Sequence, residues 1–392
     1  MGKHTGWPEE SADPPPIPVP PPEHQAPKKA EKEDSSTLPV SQVPMQESET
    51  RHLSSSTEKP RKRRLARSIL LSLIALAAGA SIASYFLNDE DESVSPATQA
   101  EKITTRHPHS DNIQVGEKPT GVTFGAEAIW VANSENSTIT RIDTVTQKID
   151  VSVPAADHPA RLTFGAHSVW AAHSEENIVS RIDANSNMLT ATIPVGKYPV
   201  DLAFGANSLW VVNERDNTVS RVDPATNKIV ATIKVGRTPR SITFGHNSVW
   251  VANYYDGTVS RIDPATNKQT AVIPLSINAL PGDIAFGADT VWAANQFDNS
   301  VIRIDPNLNK ATIGIPTKFE PRTLAFGENT LWVIHHQNDT ISLVNPEENM
   351  VVARVYPGSK PRDAVLGDNA IWVTNYHDGT VARIDPKVID RH

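Results

Sequence analysis

The chain has 392 residues and no cysteine, which leaves histidine, aspartate and glutamate as its plausible metal ligands and acid–base groups, with arginine and asparagine beside them as binding groups. Thiolate zinc sites, cysteine nucleophiles and disulfide staples are excluded. Three sets of such residues recur at fixed spacing. Asn133, His173, Asn213, Asn253, Asn295, His335 and Asn375 each stand three residues after a tryptophan. Arg161, Asp201, Arg240, Asp283, Arg322, Arg362 and Asp363 open matching segments. Arg141/Asp143, Arg181/Asp183, Arg221/Asp223, Arg261/Asp263, Arg303/Asp305 and Arg383/Asp385 form the third set. Guanidinium groups grip carboxylates and phosphates through paired donors. Asparagine serves either a ligand or its own turn, and histidine beside an acid can move protons or hold a metal.

The elements that must position them are read from a repeat. Trp130, Trp170, Trp210, Trp250, Trp292, Trp332 and Trp372 are spaced 40, 40, 40, 42, 40 and 40 residues apart. Six carry Phe-Gly six residues upstream (Phe124-Gly125 is the first), and the seventh carries Leu366-Gly367. The unit from Pro239 breaks into four period-2 runs: Arg240 to Phe244, Ser248 to Asn253, Thr258 to Asp263 and Lys268 to Ile273. Gly245 is expected to supply positive φ after the first run, Asp256-Gly257 a hairpin, and Asp263-Pro264 a tight turn ending near Asn267. Four antiparallel strands repeated seven times predict an all-β, seven-bladed β-propeller over 112–386. The last unit lacks a fourth strand, and Asn112 to Gly116 matches the fourth strand of other units. The N-terminal strand should therefore close the last blade, leaving no open edge and a monomeric ring.

In that ring the recurring Trp and Phe pack between sheets, and the third set supplies ion pairs and turn-starting aspartates. The loops joining strands two and three, and strand four to the next blade, share one face around the channel. That top face is the expected ligand site, with Asn133, His173, Asn213, Asn253, Asn295, His335, Asn375, Arg240, Arg322, Arg362, Tyr254, Tyr376 and His377 as candidates. The Asn ring has a second reading, as bonds to the turns after strand two. The arginines likewise either bind an anion or are neutralised by Asp201, Asp283 and Asp363. The repeat's only two-residue insertion, in the loop containing Leu275 to Leu280, falls on the same face. His173 and His335 sit in distant blades, and His335 and His336 point to opposite sides of one strand, so no metal site or cofactor is expected.

Ahead of the repeat, residues 1–67 hold 12 of the 31 prolines and a polybasic end, and read as a disordered cytoplasmic tail. Ser68 to Leu87 is uncharged over a length that spans a bilayer as a helix. Arg61, Lys62, Arg63, Arg64 and Arg67 precede it, and Asp89, Glu90, Asp91 and Glu92 follow. The charge asymmetry predicts a single-pass anchor with a cytoplasmic N-terminus and everything beyond it exported. Residues 88–111 read as a polar stalk and 387–392 as a short C-terminal tail. A net charge of −8 excludes a nucleic-acid footprint.

The segments WVANYYDGTVSRIDPATNK (Trp250 to Lys268) and ATIPVGKYP (Ala191 to Pro199) resemble the YVTN or YncE-like β-propeller repeat. The resemblance covers about 270 residues and implies an extracytoplasmic binding or surface protein, with sensor domains as a related use. A sibling family, the streptogramin (virginiamycin B) lyases, implies a lyase using acids, histidine and magnesium on the same fold. Its repeats read approximately Trp-Phe-Thr-Glu, whereas the position three after each Trp here is Asn or His and never Glu, which weakens that implication. Three functions are therefore expected in order: a non-catalytic module binding a protein, glycan or small ligand; a lyase-like enzyme using His173, His335 or His377 with Glu175 or Glu214; and an envelope scaffold or sensor signalling through the Pro-rich tail.

Overall fold

Seven antiparallel sheets surround a channel in the computed structural model, which describes residues 105–106 and 111–388. The expected tail and membrane span lie outside the described residues. Among the described residues no helix is long and apolar enough to cross a membrane. Each of the first six blades runs outward in chain order. Blade three, for example, is Pro199–Gly205, Ser208–Asn213, Thr218–Asp223 and Lys228–Lys234. The innermost strands contact one another in sequence, and that of blade seven, Pro361–Gly367, returns to that of blade one, Pro119–Gly125.

Asp111–Gln114 pairs antiparallel with Thr380–Ile384 and supplies the missing outer strand of blade seven. The ring therefore closes as the repeat register requires. One pairing was not legible. Thr105–Arg106 lies parallel to Met350–Val355, so blade six gains a fifth strand from chain expected to be stalk. At the other end Pro386–Val388 makes a short 3-10 turn.

Each second strand is buried on both sides, which is why it reads as an unbroken apolar run. Leu209 and Val211 face blade two, while Trp210 and Val212 face blade four. All seven repeat tryptophans are fully buried, and each indole N–H donates to the carbonyl of the glycine five residues earlier, at 2.9–3.4 Å. The indole thus fills the space between blades without leaving a buried donor unpaired.

Two expectations about the repeat need correction. The glycine of Phe-Gly does not supply positive φ: the two residues after it do, as in His246 (φ 49) and Asn247 (φ 50), forming the tight turn between strands one and two. The glycine is required because the next blade's Phe lies on it; a Cβ at Gly245 would sit 2.0 Å from Cγ of Phe286. Gly257 does adopt positive φ (63), as the Asp-Gly hairpin requires.

The strand-three arginines, second, do not pair with the aspartates two residues on. Those aspartates accept backbone N–H bonds within the following turn, as Asp263 does from Ala265. In blades two to five the arginine reaches the next blade. Arg221 donates to Pro264 O (2.6 Å), Asn267 Oδ1 (2.8 Å) and Ser208 Oγ (2.9 Å), and its guanidinium covers the Trp210 ring at 5.0 Å. Arg181, Arg261 and Arg303 make the same clasp on Asn227, Asn309 and Asn349. Arg141 turns back to Asp150 in its own blade. Ala128 stands where blade three has Ser208, so the guanidinium lacks the hydroxyl that steers it across.

Candidate functional site at the channel mouth

Six of the seven innermost strands begin with proline and then slip register before pairing normally; in blade three the shift lies between Pro199 and Asp201. Such a bulge sets two successive side chains on one side of the strand. The two residues after each proline consequently build two tiers around the channel: Arg240, Arg322 and Arg362 in the upper, Arg161, Asp201, Ser241, Asp283, Thr323 and Asp363 in the lower.

The lower tier staples blade to blade. Asp201 accepts the Ile242 N–H at 3.0 Å, Asp283 the Leu324 N–H at 2.7 Å, and Asp363 the Val122 N–H at 3.1 Å, each from the following blade. Ser241 Oγ donates to Asp283, and Arg161 is paired with Asp363 at 2.8 Å. Burial pushes Asp201 up to about 6 and raises Asp283 as well; Arg161 opposes the shift in both, and Asp283 adds to it at Asp201. Burial opposes the charge on Arg161, but Asp363, Asp283 and Asp201 outweigh it and hold the guanidinium protonated.

Among the described residues none of the lower-tier aspartates forms an ion pair with Arg240, Arg322 or Arg362. The upper arginines open on a cavity of about 410 Å³ shared with Arg161, Glu214 and Gln296. Arg240 lies 3.9 Å from Glu214 and stacks on Tyr254 with its guanidinium 3.6 Å from the ring centre. Arg322 faces Glu320 at 3.6 Å and donates to Gln296 Oε1 at 3.5 Å. Arg362 stands over Tyr376 at 5.4 Å and makes no ion pair among the described residues. Burial, then Arg161 and Arg322, lower its proton affinity, and Tyr376 and Asp363 offset this only in part. The hydroxyls of Thr120, Ser174 and Thr323 already donate to inner-strand carbonyls. The wall thus offers guanidinium donors in excess, which suits carboxylate, phosphate or sulfate.

Asn133, His173, Asn213, Asn253, Asn295, His335 and Asn375 are fully buried and do not line this cavity. Asn213 donates to Ser220 Oγ at 2.9 Å and Asn133 to Thr140 Oγ1 at 2.8 Å, each tying strand two to strand three. In blade five, where Ile302 replaces that hydroxyl, Asn295 turns to Asp298 at 2.8 Å. The two histidines are held as neutral substitutes for asparagine. A carbonyl can only accept, so Nδ1 of His173 donates to Asp157 O (2.8 Å), and Nε2 accepts from Ser180 Oγ (2.7 Å). His335 does the same between Glu320 O and Ser342. Burial lowers both, His335 to about 4.

The side chains that do reach the mouth stand one residue later: Ser174, Glu214 and Gln296 line the cavity, and Tyr254 and Tyr376 back its arginines. His336, in the same register, packs edge-on against Tyr376. One step along a strand reverses the side a residue faces. The signal was in the repeat itself: the first position is Asn or His in every blade, as a structural bond requires, while the next varies from blade to blade. His377 lies in a second cavity, at the joint of blades one and seven, with Lys118 and Lys360.

Fold and mouth together define a seven-bladed propeller whose channel face is lined by guanidinium groups. The chain belongs to the virginiamycin B lyase family, whose model matches residues 71–304. In structure it is similar to streptogramin B lyase (18% identity, 71% of this chain and 96% of that one, TM-score 0.61). It is equally similar to virginiamycin B lyase from Staphylococcus aureus (18%, 70% and 98%, TM-score 0.61). Kuenenia stuttgartiensis hydrazine synthase shares the fold too (17%, 69% and 96%, TM-score 0.62). At these identities the likeness is one of fold. No curated protein matches the chain.

The magnesium that a lyase implies does not suit this mouth. A hard divalent cation needs several oxygen ligands, preferably carboxylates. The wall presents four arginines and one glutamate, and both ring nitrogens of His173 and His335 are occupied by hydrogen bonds. Among the described residues, no three acids or histidines are grouped to hold a metal ion.

Proposed function

We propose that this propeller is a non-catalytic binding module, anchored in the membrane by Ser68 to Leu87, that holds an anionic ligand at its channel mouth outside the cytoplasm. The observation that carries the reading is the convergence of Arg240, Arg322 and Arg362 on one cavity, where of the three only Arg240 and Arg322 lie within 4 Å of an acid among the described residues. Glu214 shares that cavity with arginines and with no histidine, so the acid and base expected of a lyase are not brought together there. The exported orientation rests on the basic residues before the span and the acidic ones after it.

Titration of the full chain in detergent with citrate and sulfate tests the binding. Both should bind and raise the melting temperature, and the triple variant Arg240→Ala, Arg322→Ala, Arg362→Ala should lose the effect. Family membership favours one alternative, a lyase. Magnesium-dependent opening of a streptogramin by the full chain, retained in the triple variant, would replace binding by catalysis.

A further inference from the structure

The cavity at the joint between the first and last blades takes no part in that reading, yet it adjoins the mouth. It encloses about 460 Å³ and is lined by Lys118, Lys360, Tyr376, His377 and Asp378. Tyr376 stands between the two spaces: Arg362, a wall of the mouth, covers its ring, and the same residue lines the joint. The joint owes its shape to ring closure. Gln114 ends the closing strand and donates to Gly379 O at 2.9 Å, and Gly379 adopts φ 68 where a Cβ would also meet Gly116 O at 2.8 Å.

The two cavities differ in charge. At the joint Glu117 and Asp378 balance Lys118 and Lys360; Lys118 is bound to Glu135 at 2.6 Å, and Asp378 accepts the Ser359 N–H at 2.7 Å. Lys360 Nζ and the His377 ring have no hydrogen bond or ion pair among the described residues and remain available as donors. An aromatic wall beside a few polar groups of balanced charge suits a hydroxyl-rich ring, its C–H face on the tyrosine and its hydroxyls on Lys360 and His377.

We propose that mouth and joint form one extended site for an acidic oligosaccharide. Its terminal carboxylate lies on Arg322 and Arg362, its next ring on Tyr376, and its continuation beside Lys360 and His377. This rests on reading the mouth as an anion site.

The test is a chain-length series on the full protein: galacturonate, digalacturonate and trigalacturonate, with citrate as a compact anion. The trimer should bind at least about tenfold more tightly than the monomer. The double variant Lys360→Ala, His377→Ala should bind the monomer like the wild type and lose most of the gain from the trimer, with an unchanged melting temperature. Affinity independent of chain length, or a double variant that keeps the full gain, overturns the extended site while leaving the mouth as an anion site. If neither citrate nor galacturonate binds, the reading of the mouth fails and this one with it.

Discussion

The ring of Phe164 in blade two lies directly over Gly125 in blade one, so close that a Cβ on Gly125 would stand 2.0 Å from its Cγ. The contact recurs around the ring and sets how closely neighbouring blades approach. Gly125→Ala must push Phe164 or the whole of blade two outward, at a cost of about 3 kcal/mol. Gly314→Ala, where the nearest atom would be 3.9 Å away, should change stability by less than about 0.5 kcal/mol. Urea unfolding of the two variants reads the difference, and equal midpoints would sink the close-approach argument.

Arginine clasps between blades should not be equivalent. Arg261→Ala removes donors to Pro306 O and Asn309 and uncovers Trp250, so a loss of about 2 kcal/mol is expected. Arg141→Ala removes a partly exposed pair with Asp150, a long bond to Ala126 O and a looser cover on Trp130, and should cost less than about 1 kcal/mol. Restoring a serine with Ala128→Ser should let Arg141 reach across toward Asn187, and its later replacement would then become costly. A double-mutant cycle on thermal unfolding measures that coupling.

Acid sensitivity should trace to His173 and His335. Both are lowered below the usual histidine value of about 6.5 by burial, so the folded state binds fewer protons than the unfolded one. Their contribution is present above pH 6.5 and is lost as the pH falls, for His335 through about 4. Asparagine occupies the equivalent position in the other five blades, so His173→Asn with His335→Asn should fold and flatten the stability profile between pH 6.5 and 4. A profile as steep as the wild type would assign the acid sensitivity elsewhere.

Asp201 acts with the opposite sign. Its carboxyl is raised to about 6, so its contribution is full below the ordinary aspartate range near 3.8 and is lost as the pH rises through 6. Protonation also removes a negative charge from beneath the mouth. Sulfate, a dianion throughout this window, should therefore bind more tightly at pH 5 than at pH 7, and Asp201→Asn should lessen that dependence. Calorimetry at the two pH values decides it; identical dependence in the variant would show that Asp201 does not face the ligand.

What could be read from the residues followed how local the pattern was. Trp250, Phe244-Gly245 and Asp256-Gly257 repeat within one unit, and Ser248–Asn253 and Thr258–Asp263 form strands with the bounds their alternation predicts. Features made between units were harder. The need for Gly245 lies in Phe286, a residue of the next blade, and the idle clasp of Arg141 lies in Ala128, a serine or threonine in most blades. The arginines of the mouth were legible, whereas the Asn/His ring stands one residue off the cavity wall. Asn213 ends a strand and turns to a hydroxyl of strand three, whereas Glu214 beside it faces the mouth. Gln296 reaches the same wall, and its only signal in the sequence is the register it shares with Tyr254 and Tyr376. Thr105–Arg106 is too short to carry any periodicity, so its pairing with blade six could only be seen in three dimensions.

That short strand has a mechanical meaning. The chain pairs with blade six at Thr105–Arg106 and with blade seven at Asp111–Gln114, where it becomes the piece that closes the ring. Any tension applied upstream of Thr105 is delivered first to that two-residue pairing and then to the strand Asp111–Gln114, before any complete blade feels it. A tethered propeller built this way would yield at its own fastening, opening between the first and last blades while the other interfaces stayed intact.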